Sequence, residues 1–124
     1  MPFGLTLAPN FTWAEVRCPC GCHLPEAVAR EAVRLSRALQ HLRDLYGPVA
    51  VTSWYRCPAH NKAVGGARNS QHLYGRAADI KCRGCVDLAA WADEFFTTGG
   101  VGTYSRYPHM VHVDLRGRKA RWAS

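Results

Sequence analysis

The sequence contains no apolar run approaching the roughly 20 residues that a membrane-spanning helix requires, so no membrane partner is expected. It has no internal repeat and no low-complexity linker. Its 124 residues are therefore read as one domain, 1–124, with a cysteine-rich segment at 10–23. The opening stretch MPFGLTLAPN lacks a basic n-region and a long apolar h-region. No secretory signal is read there, and synthesis in the cytoplasm is expected. There is no HExxH pair, which excludes that class of zinc protease. Acidic residues are scarce, 9 against 16 lysines and arginines, for a formal net charge of +7. Such a chain is drawn to polyanions. Its aromatic and basic residues nevertheless do not cluster into a nucleic-acid reader, so no nucleic-acid partner is expected. The one local basic concentration, RGRKAR at 116–121, reads as solvated surface.

What is present is patterned for folding. Hydrophobic residues make up 48 % of the chain, enough for a packed core. In LPEAVAREAVRLSRALQHLRDLYG, Val28, Ala32, Leu35, Leu39, Leu42 and Tyr46 form one apolar stripe at helical spacing. Pro25 suits the first turn, and Gly47-Pro48 stops the helix. VAVTSW (49–54) reads as a strand, and residues 55–71, with Pro58, Gly65, Gly66 and Asn69, as a long loop. Loops of that length in a small domain usually carry function. AADIK is a strand. CVDLAAWADEFFTT is a second helix with Leu88, Trp91, Ala92 and Phe95 inward, ended by Gly99-Gly100. VGTYS and VHVDLR are two further strands. This order predicts an α+β domain: a small, mostly antiparallel sheet with helices packed on one face.

Two segments concentrate polar chemistry. In VHVDLR, Val111, Val113 and Leu115 point one way while His112, Asp114 and Arg116 point the other. In NSQHLYGRAADI, His72 and Asp79 are spaced by small residues, Gly75, Ala77 and Ala78, that permit close packing. His72, Asp79 and His112 together offer two nitrogens and one oxygen, a suitable set for a catalytic zinc with its fourth position open to water. Spacing alone does not distinguish this set from coincidence.

A longer pattern does. SWYRCPAHNKAVGGARNSQHLYGRAADI, followed by His112-x-Asp114, resembles the zinc D-Ala-D-Ala carboxypeptidase family of peptidoglycan peptidases, including its small phage-endolysin members and the hedgehog-type fold that goes with them. The matched positions are Tyr55-Arg56, Pro58, Asn61, Gly65-Gly66, Ser70, His72, Gly75, Ala77, Asp79 and His112, and FTWAEVRC is similar to the family's Phe-x-x-x-Glu-Phe opening. Two positions depart from it: Trp54 stands where a glycine is usual, and Cys57 where a serine is. The resemblance implies one zinc on His72, Asp79 and His112. Arg56 would bind a carboxylate or the developing oxyanion, and Tyr55 and Ser70 would line the substrate site or, for Ser70, support the loop. The base would be His109, three residues before His112. Asp114 competes for that role, and its other reading is a carboxylate that orients a ligand histidine.

The implied activity is hydrolysis of a stem-peptide bond in peptidoglycan, either D-Ala–D-Ala as a carboxypeptidase or an internal bond such as L-Ala–D-Glu as an endolysin. The protein would be a monomer acting at the wall in phage or prophage lysis. The alternative is a non-catalytic, zinc-containing module of the same fold that binds cell wall or protein. The six cysteines leave three readings open. One is a structural second zinc, with Cys82-x-x-Cys85 completed by two thiolates from Cys18, Cys20 and Cys22. The others are disulfides and free thiols. Cys57 is a spare soft ligand, a disulfide partner or a small buried hydrophobe.

Overall fold

The computed structural model describes residues 6–124. The chain opens with a two-stranded antiparallel ribbon, β1 (Thr6–Ala8) and β2 (Phe11–Thr12), which leads into a one-turn helix, α1 (Trp13–Val16). The Glu15 carboxylate caps that turn by accepting the Thr12 amide at 2.8 Å, and Phe11 and Val16 are fully buried. This accounts for the spacing of FTWAEV. Helix α2 (Glu26–Tyr46) follows with its stripe inward. Ala32, Leu35, Leu39 and Leu42 have no exposed surface, each leucine contributing about 1.5–3 kcal/mol by burial. The stripe ends earlier than expected. Tyr46 is 40 % exposed beside the still more exposed Leu45, because the last turn of α2 outruns the core.

Strand β3 (Ala50–Ser53) is followed by a short helix α3 (Pro58–Ala63), a 3₁₀ turn at Gln71–Tyr74, and β4 (Ala77–Lys81). The long loop thus carries helical structure of its own. Helix α4 (Leu88–Phe95) is shorter than CVDLAAWADEFFTT suggested. Its cap is Asp87, whose carboxylate accepts the Ala90 amide at 3.0 Å. The helical path ends at Phe95, so the phase breaks there: Phe96 turns into the core and Phe95, expected inward, is 41 % exposed.

Strands β5 (Gly100–Thr103) and β6 (Met110–Asp114) complete the expected set, and β7 (Ala120–Ala123) adds one more. The five-stranded sheet has the order β3-β4-β6-β5-β7, antiparallel throughout except for the parallel β5–β7 pair. The basic stretch 116–121 is therefore more than solvated surface. Arg121, on β7, binds Asp93 at 2.6 Å and donates to the carbonyls of Gly99 and Phe96. The fold is α+β, as the element order implied. Ala78, Ile80, Val111 and Val113 face the same core as Leu35, Leu39, Leu88 and Ala92 from the helices. The alternate residues of β4 and β6 are thereby turned to the opposite face. Among the described residues no helix is long and apolar enough to cross a membrane.

One expectation about the cysteines is corrected here. Cys82 and Cys85 are joined to each other in a disulfide, leaving Cys18, Cys20, Cys22 and Cys57 as free thiols.

Candidate metal centre

Three chain segments build the site. Asp79 on β4 pairs directly across the ladder with His112 on β6. Both belong to the residues that alternate away from the core, so the register alone sets an imidazole beside a carboxylate. His72 arrives from the 3₁₀ turn that precedes β4. Gly75 ends that turn in a left-handed conformation, φ 74°, and a side chain there would also strike Val28. Glycine at 75 is thus required twice over. His72 and His112 stand edge to face with ring centroids 5.2 Å apart. His72 Nε2 lies 3.5 Å from Asp79 Oδ2, and His112 Nδ1 lies 3.3 Å from Asp79 Oδ1.

The second nitrogen of each ring fixes what the first can do. His72 Nδ1 is 2.6 Å from the Trp54 carbonyl oxygen. A carbonyl only accepts, so Nδ1 carries the proton and Nε2 presents a lone pair to Asp79. His112 Nε2 is 2.7 Å from Asp114 Oδ2, which by the same reasoning leaves Nδ1 as the other lone pair. Burial alone would raise the Asp79 carboxyl, but the neighbouring His112 and His72 imidazoles outweigh it and hold the group well below the usual carboxylate range. Burial opposes a charge on His112, yet Asp114 and Asp79 together push its pKa up. In the absence of a metal, the carboxylates thus favour an extra proton on His112.

Metal fit can be tested on these atoms. The ligand atoms of His72, Asp79 and His112 all lie within 4.8 Å of one another. Two of the buried polar atoms, His72 Nε2 and Asp79 Oδ1, have no hydrogen-bond partner among the described residues. Buried polar atoms are rarely left so, and a cation between them would satisfy both. Two imidazole nitrogens and one carboxylate oxygen are also a donor set that zinc takes with one position open. The residues fit a zinc ion.

The surrounding groups hold these ligands in place. Asp114 is fully buried behind His112 and accepts from the Gly100 amide (2.8 Å) and from Arg116 Nη2 (2.7 Å). A side chain at Gly100 would collide with this carboxylate. Asp114 Oδ2 meets His112 Nε2 from the buried side, a position suited to orienting the imidazole. Replacing it with alanine is expected to weaken zinc binding about 10–100-fold, measured by competition with a fluorescent chelator. Trp54 is 1 % exposed and points inward, its indole donating to the Gly75 carbonyl at 2.9 Å. It anchors the His72 loop. Trp122 of β7 packs on His112 with centroids 5.0 Å apart, and the Arg116 guanidinium stacks over the indole.

The remaining sequence-derived candidates are distributed as follows. The Arg56 amide donates to the His72 carbonyl at 3.2 Å, which brings the arginine beside the triad. Its guanidinium donates to Asn61 Oδ1 at 3.1 Å, and a side chain at Gly66 would strike both groups. Asn61 and Gly66 thus shape the Arg56 pocket. Ser70 Oγ accepts the His72 amide at 3.3 Å and so supports the turn. Tyr55 does not line the cleft: it is 4 % exposed and packed in the core, with its amide bonded to the Val16 carbonyl. His109 is exposed in the loop just before β6, beside Lys81 and Tyr107. Tyr104, which the sequence reading missed, faces the triad. Burial and the nearby Asp79 carboxylate push its phenol pKa up, and the Arg56 charge opposes them. Its only sequence signal is its place right after β5, in the connection that leads to His109.

A family model described as Peptidase M15 matches residues 9–114. The chain is also 41 % identical, over 125 aligned residues, to the zinc D-Ala-D-Ala carboxypeptidase of Streptomyces albus G. That similarity takes in 93 % of this chain and 48 % of the relative, so the chain spans about half the length of the curated relative it matches.

Proposed function

The chain belongs to the M15 peptidase family, and from that premise we propose that it is a zinc-dependent peptidase that hydrolyses peptidoglycan stem peptides. The observation that carries the proposal is the convergence of two imidazole lone pairs and one carboxylate, each histidine fixed from behind by its own acceptor. A zinc ion held by His72, Asp79 and His112 supplies Lewis acidity, which lowers the pKa of water to about 7 and polarises a carbonyl.

The protein's own groups do the rest. Arg56, anchored by Asn61, forks onto the substrate's terminal carboxylate or the oxyanion that develops at the scissile carbonyl. His109, just before β6, is the imidazole that would take a proton from the attacking water and return it to the leaving amine. Tyr104, whose phenol lies near Asp79, would help to orient the peptide. The net charge of +7 favours residence on an anionic wall, in keeping with a lysis enzyme.

A terminal carboxylate bound by Arg56 favours the carboxypeptidase reaction over internal cleavage. Two synthetic peptides decide the bond, a stem peptide ending in D-Ala-D-Ala and one whose C-terminus is amidated but which retains L-Ala-D-Glu. Release of free D-alanine from the first, with the second intact, is the expected result. Cleavage of the second alone would replace the carboxypeptidase assignment by an endopeptidase one, and cleavage of neither would leave only a zinc-containing binding module.

A further inference from the structure

Outside the triad, a second group of metal-binding side chains stands together. Cys18, Cys20, Cys22 and Cys57 each place a sulfur within 4.8 Å of the others. We propose that these four cysteines bind a second zinc ion as a closed tetrathiolate site that clamps the N-terminal segment to the strap carrying Arg56.

The spacing of the sulfurs distinguishes this from disulfide bonding. Cys18 and Cys20 sulfurs are 3.3 Å apart, Cys20 and Cys57 3.5 Å, and Cys18 and Cys57 3.7 Å. A bonded pair would stand at about 2.05 Å. Four sulfurs at about 2.3 Å from a central zinc form a tetrahedron with edges of about 3.8 Å. The three separations are close to such edges, and no pair is singled out as a bond.

The chain is shaped to present the sulfurs. Gly21 adopts φ 75° and donates its amide to the Cys18 carbonyl at 2.9 Å, so CPCGC turns back and brings Cys22 to the cluster. Two backbone amides point at sulfur: Cys57 N–H at Cys18 Sγ and His60 N–H at Cys57 Sγ, both at 3.4 Å. Such donors stabilise thiolate ligands. Cys18 is 2 % exposed, and a thiolate so buried needs a counter-charge, which zinc supplies. Four protein ligands leave no position for water, so the role is structural.

The consequence for the rest of the molecule follows from the neighbours of Cys57. Arg56 precedes it, and the Tyr55 and Arg56 amides bond to Val16 and His72. An ion here would fix the Arg56 strap between the N-terminal segment and the triad. The set differs from the one read from sequence: Cys57 and the third of the N-terminal cysteines replace the Cys82–Cys85 pair, which is satisfied by its own disulfide.

The test is zinc content and zinc-edge X-ray absorption on the whole chain, purified with zinc under reducing conditions. Wild type is expected to hold two zincs per chain, with an averaged shell of about two sulfurs per zinc. His72→Ala should keep one, surrounded only by sulfur at about 2.3 Å. Cys57→Ser should lose one zinc, and Cys82→Ser should lose none. A wild-type shell without sulfur would overturn the site, as would two zincs retained in Cys57→Ser or one lost in Cys82→Ser. The wild-type absorption measurement stands even if a cysteine variant does not fold. It does not depend on catalysis, so its failure would leave the peptidase reading intact.

Discussion

His72→Ala should abolish hydrolysis of peptidoglycan and empty the catalytic metal site while leaving the α+β fold in place. His72 is one of the three side chains that would hold the metal, and its Nε2 is a buried atom with no hydrogen-bond partner among the described residues. With it gone, Asp79 and His112 offer only two donors, too few for a zinc that in catalytic sites takes three protein ligands. The core loses little, because the residues that pack α2 and α4 against the sheet are elsewhere. Circular dichroism should be unchanged, and wall-clearing activity should fall to the level of chelated enzyme. An active His72→Ala protein would exclude the triad as the catalytic site.

The second large effect is expected at Arg56. Its guanidinium is held by Asn61, and its backbone amide bonds to the carbonyl of the ligand His72. Losing a donor aimed at developing charge costs about 10²–10³ in kcat, or ~2.7–4 kcal/mol. Arg56→Ala should show that loss in kcat with zinc content unaltered, since Arg56 contributes no ligand atom. Arg56→Lys should recover only part of it, because an ammonium lacks the planar fork. If KM alone rises, Arg56 binds the ground state and transition state equally, and its assignment to the oxyanion fails. Asn61→Ala provides a check, as the carboxamide touches Arg56 and the Ala67 carbonyl. It should reduce kcat less than Arg56→Ala does.

The legible part of this protein is the part whose signal is local or periodic. The α2 stripe, the alternation in β6 and the spacing of small residues before Asp79 each state a geometry directly, and the structure places Asp79 opposite His112 by plain β register. What stayed hidden depends on contacts between distant segments. Strand β7 looked like a basic tail because its pairing with β5 is parallel and its charges are satisfied by carbonyls and Asp93. Trp54 was a departure from a familiar pattern. Its use as a buried anchor for the His72 loop appears only once its indole meets the Gly75 carbonyl. Phe95 and Phe96 exchanged roles because a helix end breaks the 3.6-residue period. Tyr55 went to the core although its neighbour Arg56 is turned to Asn61, a choice made by the Val16 pairing. The cysteine partners were the least legible of all, since connectivity is not written in spacing.

The peptidase proposal requires that the His72, Asp79 and His112 cluster carry a zinc on which hydrolysis of cell-wall peptide depends. Digestion of purified peptidoglycan tests it most directly, with the zinc-loaded protein, the chelated protein and the chelated protein after zinc is restored. New termini are identified by mass spectrometry. Cleavage of a stem peptide that vanishes with chelator, returns with zinc and is absent from His72→Ala is the predicted result. Cleavage that survives chelation, or no cleavage by the zinc-loaded protein, would contradict it.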